Sequence, residues 1–328
     1  MKRLRIGLLS KKRGNFTLQE KFRGPTSTSD STYLEVAHHQ DALVSAGFDV
    51  VPLEWGPDIV RDIEASGVRL VFNVSSLVEA ALLEELGVPF VGSDTSAIAV
   101  SLDKSLAKKL WRLEGLPTSA FHVAGSEADL DVFREAPPLP FPLFVKPVAG
   151  RGSAGVDASS VVRDYDELER AAVHRLTMIR QPVLIERFLR GREITLGVLG
   201  NGKARVLPPL EIAYREGDVT LSFEKKELDN DTFFCPAKLT TEEHRAMEDL
   251  ALRAYHALGF RDFGRIDTIL TPDGPFLLEA NAFAGLMCTP RQKPHSYIGV
   301  MARAEGMDGK GLLGEIVRNA VARLELDA

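Results

Sequence analysis

The chain has 328 residues, 45% apolar and 26% charged, a soluble globular composition long enough for two or three subdomains. Its net charge of −6 disfavours nucleic acid and anionic membrane as partners, and no apolar run approaches about 18 residues, so no membrane span is expected. The two cysteines, Cys235 and Cys288, are far apart; they fit no metal-ligand spacing and suit the reduced thiols of a cytoplasmic protein.

The first hundred residues alternate strand and helix. "LRIGLLS" reads as a first strand rather than a signal peptide. "STYLEVAHHQDALVSAG" follows as a helix with a capping-box-like start at Ser31 or Thr32 and a Gly47 stop. "FDVVPLEW", "VRLVFNVSS" and "VPFVGSD" are strands, and "PDIVRDIEASG" and "LVEAALLEELG" are the helices between them. Such alternation predicts a parallel sheet covered on both faces. The polar stretch over 11–30, "KKRGNFTLQEKFRGPTSTSD", interrupts it after the first strand. A loop of that length is either functional or a floppy insertion.

"TSAIAVSLDKSLAKKLWRLEG" predicts one long helix, on which Lys104 read alone is a surface lysine. "FPLFVKPVAGRGSAGVDASSVV" predicts two strands about a glycine-rich loop. Gly150, Gly152 and Gly155 match the dinucleotide spacing, but that fingerprint needs a helix opening from the glycines. A strand follows instead, so a Rossmann site is rejected. A strand–loop–strand can fold over phosphates with backbone N–H groups and Ser153 as donors, and Lys146 stands just before it. From Val183 the chain is strand-rich: "VLIERFL", "REITLGVLG" and "KARVLPPLEIA". "LIERFLRGRE" places Glu186, Arg187 and Leu189 before a break at Gly191 and Glu193 after it. Such a connection could present backbone groups to adenine and an acid to ribose, or be a plain turn with charged ends. After a polar segment come a helix over Thr241–Leu258, a hairpin, and a last helix over Gly311–Leu324.

The hairpin is "RIDTILTPDGPFLLEANA", residues 265–282. A three-residue loop of Pro272, Asp273 and Gly274 puts Asp267 opposite Glu279 and Arg265 opposite Asn281, all on one face. Opposed acids destabilise a sheet. A divalent cation would turn them into a site, because Asp267, Glu279 and Asn281 are hard oxygen donors and Mg²⁺ takes a couple of carboxylates plus phosphate oxygens. Arg265 would add positive charge toward an anionic intermediate.

In order, LDK, VKP with a glycine loop, E-x-x-x-x-G-x-E, LPPLEI, FFCPA, GRID and LLEAN resemble the ATP-grasp superfamily and, within it, the carboxylate–amine ligases like D-alanine–D-alanine ligase. The resemblance runs from about Leu70 onward. It implies an α/β (α+β) ATP-grasp fold with three parts: an N-terminal parallel-sheet domain over 1–98, a central domain with a glycine-rich lid over 99–182, and a C-terminal domain with the metal site over 183–328. ATP would lie between the latter two with Mg²⁺ or Mn²⁺, two ions in all. Lys104 and Lys146 match the family's phosphate-binding lysines, Ser153 its lid serine, and Lys226 a lysine of a mobile loop over the phosphates. Glu186, Arg187 and Leu189 match the adenine hinge, and Glu193 the ribose acid. Asp267, Glu279 and Asn281 match the metal ligands, and Arg265 the arginine that stabilises the tetrahedral intermediate. The implied reaction converts an acid to an acyl phosphate, which an amine attacks to give an amide, ADP and phosphate.

The acid-and-amine half departs from the family pattern. The first-strand Gly–Ser and E-R-E-V-S-like motif is missing, so the motif does not place the glutamate that holds the first substrate's ammonium. The lid pair reads Gly152-Ser153 rather than two serines, and the mobile-loop tyrosine is Glu227. "N-x-x-P-G-M-T" reads Asn281 to Met287 with Gly285 kept, and about six extra residues including "RQKPH" precede Ser296. Ser296 aligns loosely with the serine that binds the second substrate's carboxylate. Arg291, Lys293 and His295 read as groups for an acidic or bulky substrate or as a solvated loop. The resemblance implies a homodimer, and the cysteine usage a cytoplasmic protein; the departures predict a ligase of small-molecule acids and amines whose product is not D-alanyl-D-alanine, with an amino acid as the amine and a specialised metabolite as acid partner. A true D-alanine–D-alanine ligase and a non-catalytic ATP-binding module are the alternatives.

Overall fold

The computed structural model describes residues 3–11, 30–74, 77–150, 155–213, 232–289 and 296–326. The first unit alternates as read: β1 (Arg5–Lys11), α1 (Asp30–Ser45), β2 (Asp49–Trp55), α2 (Ile59–Ser66), β3 (Leu70–Asn73), α3 (Leu77–Glu85) and β4 (Phe90–Val91). Its strands pair in parallel in the order β2-β1-β3-β4. Leu70 to Asn73 are all buried, as a strand covered on both faces requires. Gly67 ends α2 in the left-handed conformation, φ 64°.

The single helix predicted next is two: α4 (Thr95–Leu102) and α5 (Lys104–Leu113). Asp103 between them is extended, φ −107° and ψ 102°. Its carboxylate caps α5, accepting from the N–H of Ser105 at 2.9 Å and of Leu106 at 3.0 Å. A side chain that offers the backbone such an alternative competes with helix continuation. Trp111, fully buried, anchors α5 by donating Nε1–H to the Ala254 carbonyl at 3.3 Å.

β5 (Phe121–Ala124), α6 (Asp131–Glu135), β6 (Leu143–Pro147), β7 (Val161–Val162), α7 (Tyr165–Met178) and β8 (Val183–Arg187) form the second unit, an antiparallel sheet in the order β5-β8-β6-β7 with its own apolar cluster. The strand expected after the glycine loop shrinks to β7, and among the described residues from Gly155 no α-helix opens before Tyr165. That is consistent with rejecting a Rossmann site.

The third unit comprises β9 (Arg192–Leu199), β10 (Arg205–Val206), β11 (Leu210–Ala213), β12 (Thr232–Phe234), α8 (Thr241–Ala257), β13 (Phe263–Thr271), β14 (Gly274–Asn281), α9 (Tyr297–Ala304) and α10 (Gly309–Arg323). Its sheet runs β12-β11-β9-β13-β14, with β10 on β9. "KARVLPPLEIA" is thus two strands broken at Pro208-Pro209, which lack the N–H a ladder needs. α9 has no counterpart in the sequence reading. Gly191 marks the sharp entry to β9: a Cβ there would fall 2.3 Å from the Leu270 carbonyl oxygen. Among the described residues no helix is long and apolar enough to cross a membrane.

Candidate active site

The hairpin β13–β14 brings Arg265 opposite Asn281 and Asp267 opposite Glu279, the pairing expected from the sequence. The expected loop is corrected: Thr271 pairs Gly274, so only Pro272 and Asp273 lie between the strands. A bulge restores the register, because Thr268 faces Leu277 and Leu278 is the extra residue.

Asp267 is 6% exposed, and its neutralising partner in this structure is on its own strand. Arg265 donates Nε–H to Oδ1 at 2.8 Å and Nη2–H to Oδ2 at 2.7 Å. Thr195 on β9 donates its hydroxyl to Oδ1 as well. Burial works against the Arg265 charge, but Asp267 beside it more than compensates and raises the guanidinium pKa. The guanidinium also lies over the Tyr297 ring, 5.5 Å from its centroid. Glu279 is more open, with the Lys104 ammonium 4.0 Å away. The donor chemistry of Asp267, Glu279 and Asn281 fits a hard divalent cation carrying phosphate oxygens.

Lys104, the first residue of α5, donates to the Gly150 carbonyl at 3.1 Å, so the glycine loop starts beside it. Burial lowers its pKa, with Glu279 pulling the other way. Lys146 on β6 reaches Glu186 on β8 at 2.7 Å. Lys108, one turn after Lys104, reaches the other oxygen of Glu186 at 2.8 Å. Its remaining N–H groups go to Thr118 Oγ1 at 2.7 Å and Ser119 Oγ at 2.9 Å, and Ser119 donates to Glu186 at 2.6 Å. Burial pushes the Glu186 carboxyl up, but Lys108 and Lys146 overcome it and hold its pKa at about 2. Burial takes Lys108 down to about 8, while Glu186 and Glu279 keep Lys146 raised despite its burial. Two ammonium groups around one carboxylate leave a net positive charge facing Lys104, as an anionic ligand requires.

Glu186 was expected at an adenine contact. The residue is 3% exposed and its carboxylate is engaged by Lys108, Lys146 and Ser119, so its backbone is what it can offer a base. Arg187 is exposed and Leu189 half-buried beyond the end of β8. Glu193 opens β9 opposite Ile212 and Ile269, near enough to raise the Lys146 pKa. Gly285 and Ser296 are brought together: a Cβ on Gly285 would fall 3.0 Å from Ser296 Cβ. Ser153, Lys226, Glu227, Arg291, Lys293 and His295, like most of the 11–30 loop, lie outside the described residues.

Sequence reasoning missed Lys108, Thr195 and Glu35. Lys108 follows Lys104 by one helical turn, and Thr195 shares a strand face with Glu193, so both carried a periodic signal. Glu35 carried none. Its carboxylate accepts the Leu286 N–H at 3.1 Å, 251 residues away in sequence.

Residues 110–318 match the family model of the D-ala D-ala ligase C-terminus. A D-alanine–D-alanine ligase of Bordetella avium (strain 197N) is 32% identical over 94% of this chain and 95% of its own length. The chain belongs to the D-alanine–D-alanine ligase family. Another such ligase, from Bordetella pertussis, is 34% identical over 88% of this chain and 90% of its own. A D-alanine–D-alanine ligase from Bacillus anthracis, solved with ATP, superposes with a TM-score of 0.75 at 23% identity, covering 98% of this chain and 99% of that one. The VanG D-Ala:D-Ser ligase from Enterococcus faecalis gives a TM-score of 0.71 at 22% identity, covering 98% and 100%. The fold is ATP-grasp, and the chain is an ATP-dependent, ADP-forming carboxylate–amine ligase.

Proposed function

We propose that the chain activates a small carboxylic acid as its acyl phosphate and passes it to an amino acid or other amine. The observation that carries this reading is the convergence of Lys104, Lys146 and Lys108 on Glu279 and Glu186. Lys104 and Lys146 bind phosphate oxygens, and Ser153 and Lys226 close over them. The backbone of Glu186, Arg187 and Leu189 takes the adenine, and Glu193 the ribose. Asp267, Glu279 and Asn281 hold Mg²⁺ or Mn²⁺, two ions in all, which offset phosphate charge when bound. Arg265, released from Asp267, stabilises the anion that forms when the amine attacks. Gly285, Ser296, Glu227 and Arg291 face the acid and amine. The functional parts are 1–98, 99–182 and 183–328, in a cytoplasmic homodimer.

The names of the relatives favour D-alanine as both substrates. The rebuilt wording of residues 11–30 and 281–296 favours a different pair, which is our narrower reading. A substrate screen with ATP and Mg²⁺, read by mass spectrometry, decides. The narrower reading expects an amide from a mixed acid–amine pair at a rate well above D-alanyl-D-alanine. Efficient D-alanyl-D-alanine synthesis contradicts it and leaves the ligase reading standing.

A further inference from the structure

Arg265 on β13 has two partners, and they hold different parts of it. Asp267 takes one edge of the guanidinium, through Nε–H at 2.8 Å and Nη2–H at 2.7 Å. Tyr297 takes its face, with Cζ 5.5 Å from the ring centroid. A ring face attracts a guanidinium without using any of its N–H groups. Among the described residues Nη1 has no hydrogen-bond partner, so another edge of the fork is left to meet an anion.

The fold builds this stack from both sides. Arg265 pairs Gly197 on β9, and paired residues share a face of the sheet. The missing side chain at Gly197 admits α9: a Cβ there would fall 3.1 Å from Met301 Sδ and 3.4 Å from Ile298 Cγ1. Helix α9 therefore lies close on β9, beside Arg265. Its start is equally constrained. Ser296 caps it by accepting the Gly299 N–H at 3.3 Å, and a Cβ on Gly299 would overlap the Met287 carbonyl oxygen. Tyr297 is the first residue of that helix. Phe233 of β12 makes a T-shaped contact with its ring, centroids 6.4 Å apart and planes at 65°. The ring is held by α9 and Phe233 as well as by Arg265, so it acts as a fixed surface.

We propose that Tyr297 is a positioning residue: its ring sets the plane of the Arg265 guanidinium and so aims the arginine at the anion formed when the amine attacks. This rests on the acid–amine ligase reading. A stabilising charge lowers a barrier most when it is aimed before the new charge develops. A pair along one edge leaves the guanidinium able to pivot about the carboxylate. The ring removes that pivot and takes no donor away from the anion.

Tyr297→Phe keeps the face and removes the hydroxyl, whereas Tyr297→Leu keeps apolar bulk and removes the face. Both full-length variants are assayed with ATP, Mg²⁺ and the acid–amine pair that wild type turns over fastest in the substrate screen. Tyr297→Leu is expected to lower kcat about tenfold with the KM for ATP unchanged, and Tyr297→Phe to keep most of kcat. A second measurement needs no turnover. Urea midpoints are compared for Tyr297→Leu, Arg265→Gln and the double variant, the Gln amide keeping a donor for Asp267. The double variant is expected to lose less than the two single losses added together. A wild-type kcat in Tyr297→Leu, an equal loss of kcat in both Tyr297 variants, a loss that falls on the KM for ATP, or additive urea midpoints would each overturn the proposal. No ADP release by wild type with any acid–amine pair would instead defeat the ligase reading, and non-additive midpoints would then leave Tyr297 standing as the restraint on Arg265.

Discussion

Lys108 ties α5, the helix that opens with Lys104, to the strand that carries Glu186. Its three N–H groups meet Glu186, Thr118 and Ser119. Thr118 in turn donates to the Leu277 carbonyl of β14 at 2.8 Å, two residues before Glu279. Lys108→Met leaves Glu186 with only Lys146 as a charged partner and is expected to cost about 3–5 kcal/mol at pH 7, the usual loss when a buried pair is broken. Glu186 has its pKa lowered from 4.5 to about 2, so its contribution is present above pH 4.5 and lost as pH falls toward 2. The difference in urea midpoint between wild type and Lys108→Met should therefore shrink below about pH 4.5. A constant difference from pH 7 to pH 3 would mean that Lys108 acts only by filling space.

The break at Asp103 decides where Lys104 points, so it belongs to the elements rather than to one side chain. Hydrophobic periodicity ran through 95–115 and predicted one helix, because a cap in the middle of a periodic stretch leaves the pattern intact. Removing the cap with Asp103→Ala is expected to cost about 1 kcal/mol of stability and to let α4 and α5 approach one continuous helix. Lys104 would then swing from the Gly150 carbonyl, and KM for ATP should rise several-fold while KM for acid and amine holds. An unchanged KM for ATP would show that Lys104 keeps its place without the break. The hairpin behaved differently. Its acid pairing was legible because alternation fixes the face, although the turn was read one residue too long and the Leu278 bulge compensated. The partners of Asp267 were not legible as partners: Arg265 had been assigned to a substrate anion, and Thr195 comes from another strand. The helix at Tyr297–Ala304 follows residues outside the expected motifs and gave no separate signal.

At the level of the whole molecule, the second unit supplies Lys146 and Glu186 and the third supplies Asp267 and Glu279, while Glu35 on α1 of the first accepts the Leu286 N–H. The first and third are clamped by Asp262, which is fully buried. It accepts from Arg323 on α10 at 3.0 and 2.7 Å and from the Gly92 N–H at 2.8 Å. The βα alternation and the motif order made this architecture readable from the sequence, since each unit follows local rules. The acid-and-amine end was not readable, because Glu35 meets Leu286 only through the packing of α1 on the far end of the chain. The most direct measurement is ADP release by the full-length protein with ATP and Mg²⁺, set against amide product by mass spectrometry. The account predicts one ADP per amide, only when acid and amine are both present, and loss of both in Lys146→Ala. ADP release indifferent to acid and amine, or full turnover by Lys146→Ala, would contradict it.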